Sequence, residues 1–276
     1  MTLIPVETPE DYVLAQQFII PHEETCTTLA SLVRRKTEKL VFLKNNQEIV
    51  GILNLDSTIY HCIPDTSKID KIALLENIPY LLEKPVRCIS GETTATDYLI
   101  KFFPNPAQIY PYRMLQWMSD CKADVSKPQY VLSGGEEIIR CTEHDIDFLH
   151  PLQKDYMKDE VAVPGRQLTD AEIDITLRQI LKNQLCLAMT VDGDIVAKAN
   201  TNAIGINCVQ IGGVYTHPLY RRNGYAGALV QALCNRAVQA NRKPVLFVKE
   251  KNTPAFNLYQ KLGFEECGRY TIAYYN

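Results

Sequence analysis

One stretch constrains this chain more than any other: Val214-Tyr215-Thr216-His217-Pro218-Leu219-Tyr220-Arg221-Arg222-Asn223-Gly224-Tyr225-Ala226. A β-prone run enters a tight turn. A long amphipathic run follows, with Ala228, Leu229, Ala232, Leu233 and Ala237 on its apolar side. The pattern predicts strand, turn and helix, in that order. Free backbone N–H groups and the helix dipole make such a helix start an anion site. Gly224 and Ala226 are small, so a phosphate can approach the backbone there. Arg221 and Arg222 add positive charge beside it. These residues point to a ligand that carries a pyrophosphate. No Gly-Lys-Ser/Thr follows, so this is not a P-loop, and GxGxxG is absent, so it is not a dinucleotide fingerprint.

The C-terminal half alternates around that stretch. Apolar spacing predicts helices over 146–157 and 169–182, the second opened by the cap Thr169-Asp170-Ala171-Glu172. Strands are expected over 185–191 and 195–202, joined by the turn pair Asp192-Gly193, and a third over 209–215. A helix over 225–240, a buried strand over 244–248 and a helix from Pro254 to the stop at Gly263 follow. A last strand covers 270–275.

The N-terminal half carries a faint echo. Val41-Phe42-Leu43, a polar turn and Glu48-Ile49-Val50-Gly51 resemble Leu187-Ala188-Met189, Asp192-Gly193 and Asp194-Ile195-Val196-Ala197, half a chain away. The echo is consistent with a duplicated fold, and equally with two unrelated hairpins. Helical patterns at 69–84 and 93–103 flank a short strand at 86–89. The polar stretch 119–129 sets the expected boundary, dividing the chain into 1–125 and 129–276.

Length and composition fit a two-domain α/β protein: 276 residues, 46% hydrophobic and 22% charged. A net charge of −3 argues for no nucleic-acid partner, and the short run Arg34-Arg35-Lys36 reads as a solvated helix face. The nine cysteines are scattered and never form CxxC, which speaks against a metal site or a disulfide framework. They read as reduced, mostly buried small hydrophobes of a cytoplasmic protein. The N-terminus lacks a signal-peptide pattern, and no apolar run is long enough to span a membrane.

Arg221, Gly224 and Ala226 stand where the Q/R-x-x-G-x-G/A signature of the GCN5-related N-acetyltransferases, the GNAT superfamily, requires them. Val214 and Pro218 match that family's V-x-x-x-P lead-in, and Asn252 to Phe264 resembles its second hallmark, N-x-x-A-x-x-L-Y-x-x-x-G-F. The resemblance implies a mixed α/β acyl-CoA fold, tandem if the N-terminal echo is real, with the C-terminal copy competent for cofactor. It implies acetyl-CoA as cofactor and direct transfer of its acetyl group to a primary amine of a small molecule or peptide. In that reading Arg221, Arg222, Asn223, Gly224, Tyr225 and Ala226 hold the pyrophosphate. Val214 and Thr216 offer backbone groups to the pantetheine arm, and a backbone N–H at Val214 meets the oxyanion. Asn252 and Ala255 contact the cofactor arm, and Tyr259 protonates the departing thiolate.

The general base is less determined. Glu160 is the first choice, with Asp155 and Asp159 beside it, and solvated surface acids are the plainer reading of all three. Gln210 and Asn200 lie on central strands and could face the acceptor, whereas His217 reads as a cofactor-edge or surface residue. The N-terminal half has no Q/R-x-x-G-x-A, and Glu92 after Ser90-Gly91 would repel a pyrophosphate. Its expected use is to wall the acceptor site, where Arg113 and Trp117 could line the wall, or to mediate self-association as a homodimer; ordinary core and interface packing is the plainer reading of both residues. The alternatives to an acetyltransferase are an enzyme of the same fold with another acyl group or nucleophile, and a CoA-binding sensor without turnover.

Overall fold

A computed structural model describes residues 1–37, 39–74, 76, 85–118, 134–161 and 168–275. The expected boundary at 119–129 and much of the helical pattern at 69–84 lie outside the described residues. In the first half β1 (Thr2–Pro5) leads to α1 (Pro9–Ile19) and α2 (Thr27–Arg34). Strands β2 (Leu40–Asn45), β3 (Glu48–Asn54), β4 (Thr58–Cys62) and β5 (Cys88–Glu92) follow, then helix α3 (Thr93–Leu99) and strand β6 (Gln108–Trp117). The second half repeats the plan: β7 (Glu136–Arg140), α4 (Ile146–Tyr156) and α5 (Asp170–Asn183). Then come β8 (Cys186–Val191), β9 (Asp194–Ile204), β10 (Cys208–Thr216) and α6 (Tyr225–Gln239). It closes with β11 (Lys243–Lys249), α7 (Thr253–Lys261) and β12 (Phe264–Tyr274).

The twelve strands form one sheet in the order β1-β2-β3-β4-β5-β12-β6-β11-β10-β9-β8-β7. Each half gives its last strand to the other. β12 closes the first half by pairing with β5, and β6 closes the second by pairing with β11. The two exchanged strands pair antiparallel with each other from Phe264–Trp117 to Tyr274–Gln108. In each half one parallel pair, β4–β5 or β10–β11, sits among antiparallel neighbours. The faint sequence echo is therefore a repeated fold.

The sequence explains the local elements. Thr8 and Thr169 make capping boxes with Asp11 and Glu172, and Asn252 caps α7 by accepting from the Ala255 N–H at 3.2 Å. One core packs α6 and α7 onto the second half, through Leu229, Leu233, Ile211, Leu246 and Phe264. Trp117 joins this core from the exchanged strand and donates its Nε1–H to the Leu262 carbonyl at 2.7 Å. Among the described residues seven cysteines are buried and free, and Cys267 is exposed.

A second lock joins the halves. Glu23, 1% exposed, accepts from the backbone N–H groups of Ile206, Asn207 and Cys208 at 2.6–2.9 Å. It satisfies the tip of the β9–β10 turn from the other half. Arg34, expected on a solvated face, donates to the Ile204 carbonyl at 2.8 Å and adds to the same junction. Glu23→Ala orphans several buried donors, so thermal or urea unfolding is expected to show a loss of about 3 kcal/mol. A loss below about 1 kcal/mol would contradict this lock.

Candidate active site

β10 and β11 pair only from Cys208–Lys243 to Ile211–Leu246. Beyond Ile211 the strands part, and β10 carries a bulge between Gly212 and Tyr215 against β9. Gly213 sits there at φ +58°, and a Cβ at that position would lie 1.9 Å from Asn200 Oδ1. Only glycine suits both the backbone and the space. The opening leads into a cleft of about 910 Å³.

One end of the cleft is the turn into α6. Gly224 takes φ +83°, ending the incoming turn in a left-handed conformation, and α6 runs on for 15 residues. Its first N–H groups face the cleft end lined by Arg221, Arg222, Gly224, Tyr225 and Ala226. Asn223 is not part of the lining and donates to the Tyr220 carbonyl at 3.3 Å. Tyr225 is buried, and its hydroxyl binds Glu136 at 2.6 Å, so only its backbone is available to the cleft. Arg221 donates to the Thr216 carbonyl at 3.1 Å and lies 3.9 Å from Asp159. The Thr216 carbonyl is thus already engaged, whereas its buried Oγ1 has no hydrogen-bond partner among the described residues. His217 accepts from the Leu219 N–H at 3.4 Å in the same turn.

Val214, Asn252, Ala255 and Tyr259 line the middle. Tyr259 is 7% exposed, and burial, reinforced by the Tyr156 and Glu160 charges, pushes its phenol well above the ordinary tyrosine value. Glu160 stands on a turn of π-helix, Met157–Val161, that continues α4. Its Oε1 is 3.4 Å from Asn252 Nδ2, and its Oε2 is 3.5 Å from Lys249 Nζ, which also donates to the Glu160 carbonyl. Asp159 is occupied by the Tyr215 hydroxyl at 2.7 Å. Asp155 is outside the cleft lining. Gln210 lines the cleft while accepting from Thr28 Oγ1 at 3.1 Å, and Asn200 is buried beneath the bulge.

The far wall comes from the exchanged strands. Lys249 pairs with Tyr112, and Tyr112 with Tyr270, so these share one face of the sheet. Tyr110, Tyr112, Phe247, Ile272 and Tyr274 line the cleft on that face. Tyr110 and Tyr274 meet edge to face at 5.9 Å, and Lys249 lies 5.5 Å over the Tyr110 ring. Burial comes first in raising the Tyr112 phenol, followed by the charges of Tyr274, Tyr156, Glu160 and Tyr110. Arg113 and Trp117, candidates for this wall, alternate onto the opposite face, in keeping with the plainer reading of packing residues. Arg113 pairs with Glu266 at 3.3 Å over the Phe256 ring, and Trp117 is core. The period-two run Tyr110-Pro111-Tyr112 held the signal for the true wall residues.

The parted strands and the open helix start suit a long ligand with an anionic group at one end. A sequence model of the acetyltransferase (GNAT) family matches residues 148–264. The family match is confined to that stretch of the second half, and likeness of fold extends over both halves. A GNAT-family acetyltransferase from Colwellia psychrerythraea aligns over 100% of both chains with 11% identity and a TM-score of 0.59. A tandem GNAT protein from the clavulanic acid biosynthesis pathway aligns over 99% of this chain and 98% of its own, with 10% identity and a TM-score of 0.64. A GCN5-related N-acetyltransferase-like protein from Streptococcus suis covers 95% of this chain and 97% of its own, with 14% identity and a TM-score of 0.57. A search of curated proteins found no match. Among the described residues no helix is long and apolar enough to cross a membrane, and no cluster of three metal-ligating side chains occurs.

Proposed function

We propose that this chain moves the acetyl group of acetyl-CoA to the primary amine of a small molecule with an aromatic or apolar body. The carrying observation is that the α6 helix start and Tyr259 open onto one cleft whose far wall is a cluster of tyrosines around Glu160. Labour divides between 129–276, which binds the cofactor, and 1–125, whose strand β6 walls the acceptor. Among the described residues the first half offers no counterpart to Tyr259. Aligned on their caps, Glu92 and Asn252, helices α3 and α7 place Leu99 where Tyr259 stands.

The α6 N–H groups, Arg221 and Arg222 hold the pyrophosphate, with Arg221 exchanging Asp159 for a phosphate oxygen. Val214 and Thr216 flank the pantetheine arm, and Asn252 and Ala255 face it. Glu160 takes a proton from the amine, whose nitrogen then bonds to the thioester carbonyl carbon. The Val214 N–H meets the oxygen on which negative charge develops. As the carbon–sulfur bond breaks, the nitrogen releases its second proton to solvent, Tyr259 gives its proton to the sulfur, and the proton held by Glu160 restores the Tyr259 phenol, so cationic amine and thioester become amide, thiol and one free proton.

The wall chooses the acceptor. Tyrosine and phenylalanine faces favour an apolar body and tolerate a cationic amine before it is deprotonated. Lys249 is already held by Glu160, so it is not free to pair with an anionic acceptor. Thiol release should therefore be fastest with arylalkylamines in a panel that also holds polyamines, amino acids and a lysine peptide. Tyr112→Ala is expected to raise the amine KM about tenfold and leave the acetyl-CoA KM unchanged. Preference for polyamines or acidic amines would refute this acceptor class.

A further inference from the structure

Lys198 lies on β9, is 0% exposed, and has no part in the chemistry above. Burying an ammonium is costly, so its partners must compensate. Its Nζ donates to Asn200 Oδ1 at 3.2 Å and to the Gly213 carbonyl at 3.0 Å, and it lies 4.8 Å over the Tyr156 ring. The Asn200 amide is oriented by its own Nδ2, which donates to the Thr201 carbonyl at 2.9 Å and to Asn202 Oδ1 at 3.0 Å. Two oxygens and an aromatic face are all acceptors. They match an ammonium, which has three donors and no lone pair. Desolvation lowers the Lys198 pKa, and the nearby thiols Cys186 and Cys141 oppose that shift.

These contacts converge on one peptide unit. Gly213 occupies the bulge where β10 leaves β11, and its carbonyl faces Lys198. In a trans peptide the next N–H points opposite to the carbonyl. The Val214 N–H therefore turns away from Lys198, and Val214 lines the cleft. A cation bonded to a carbonyl pulls electron density through the amide and strengthens the N–H at its other end.

We propose that Lys198 is a positioning residue for acyl transfer: bonded to the Gly213 carbonyl, it fixes and polarises the Gly213–Val214 peptide, making the Val214 N–H a stronger donor to the carbonyl oxygen of a bound acyl thioester. This rests on the acyltransferase reading above. A lysine that only fills space would leave the thioester carbonyl unaffected when replaced by an uncharged side chain of similar shape.

Isotope-edited difference infrared spectroscopy of bound acetyl-CoA reads that carbonyl directly and needs no acceptor. The wild-type protein should lower the carbonyl stretch relative to free acetyl-CoA. Lys198→Met should lose most of that shift while calorimetry shows acetyl-CoA affinity within about threefold of the wild type. Turnover with the best amine of the panel should fall about tenfold with the acetyl-CoA KM unchanged. Circular dichroism and melting establish that the variant folds. If it does not, Lys198→Gln, whose neutral amide keeps one donor, should show a partial loss of the shift. An unshifted carbonyl in the wild type, or an equal shift in a folded variant, overturns the role of Lys198. Absence of acetyl-CoA binding by the wild type removes the acyltransferase reading itself, and calorimetry tells that outcome from the others.

Discussion

Tyr259→Phe lowers turnover about a hundredfold and leaves acetyl-CoA affinity within about twofold, the pattern of a lost general acid. The phenyl ring keeps the packing of Tyr259 against Phe264, where the rings meet at 6.0 Å, so the fold is preserved. Only the hydroxyl is lost. Burial holds the Tyr259 phenol well above its usual value, which makes it a weaker acid in the resting site. The thiolate that would form beside it loses water in the same cleft, and its own proton affinity rises for the same reason. The proton transfer therefore stays balanced. Because the raised pKa keeps the hydroxyl protonated, Tyr259 should impose no alkaline fall in rate below pH about 10. Pre-steady-state thiol release on wild type and variant checks both statements. Equal rates would assign Tyr259 to packing alone.

Gly224→Glu abolishes acetyl-CoA binding, by at least about a hundredfold in Kd. Two effects act together. Glutamate at φ +83° carries the strain of a left-handed conformation, roughly 1–2 kcal/mol. Its carboxylate also stands where the α6 N–H groups and Arg221 would meet a phosphate. Gly224→Asn separates the two, since asparagine tolerates that conformation and brings no charge. The asparagine variant should fold normally and lose far less affinity. If the glutamate variant melts like the wild type and still binds, the pyrophosphate lies elsewhere.

The second half was legible because its signals are local. The Arg221–Ala226 turn, the Asp192-Gly193 hairpin and the Thr169 cap each depend on neighbours in sequence, and each expected element there lies close to the observed one, except the last strand, which starts at Phe264 rather than at Tyr270. The first half was dimmer. Its echo was visible at 41–51, but its last strand reads as an unassigned run because its partners, β11 and β12, lie far along the chain. That same distance hid the acceptor wall. Tyr110 and Tyr112 acquire meaning only when β6 is laid beside β11, and choosing Arg113 and Trp117 picked the opposite face of the strand. Lys198 was silent in sequence because one lysine in an apolar run gives no sign of a bulge on the adjacent strand. Glu23 was silent for the same reason, since its donors lie in the other half.

Titration of the purified chain with acetyl-CoA by calorimetry, with Gly224→Glu as control, tests the central claim most directly. The account predicts one-to-one binding with Kd about micromolar for the wild type and none for the variant. No binding by the wild type, or equal binding by both, would contradict it.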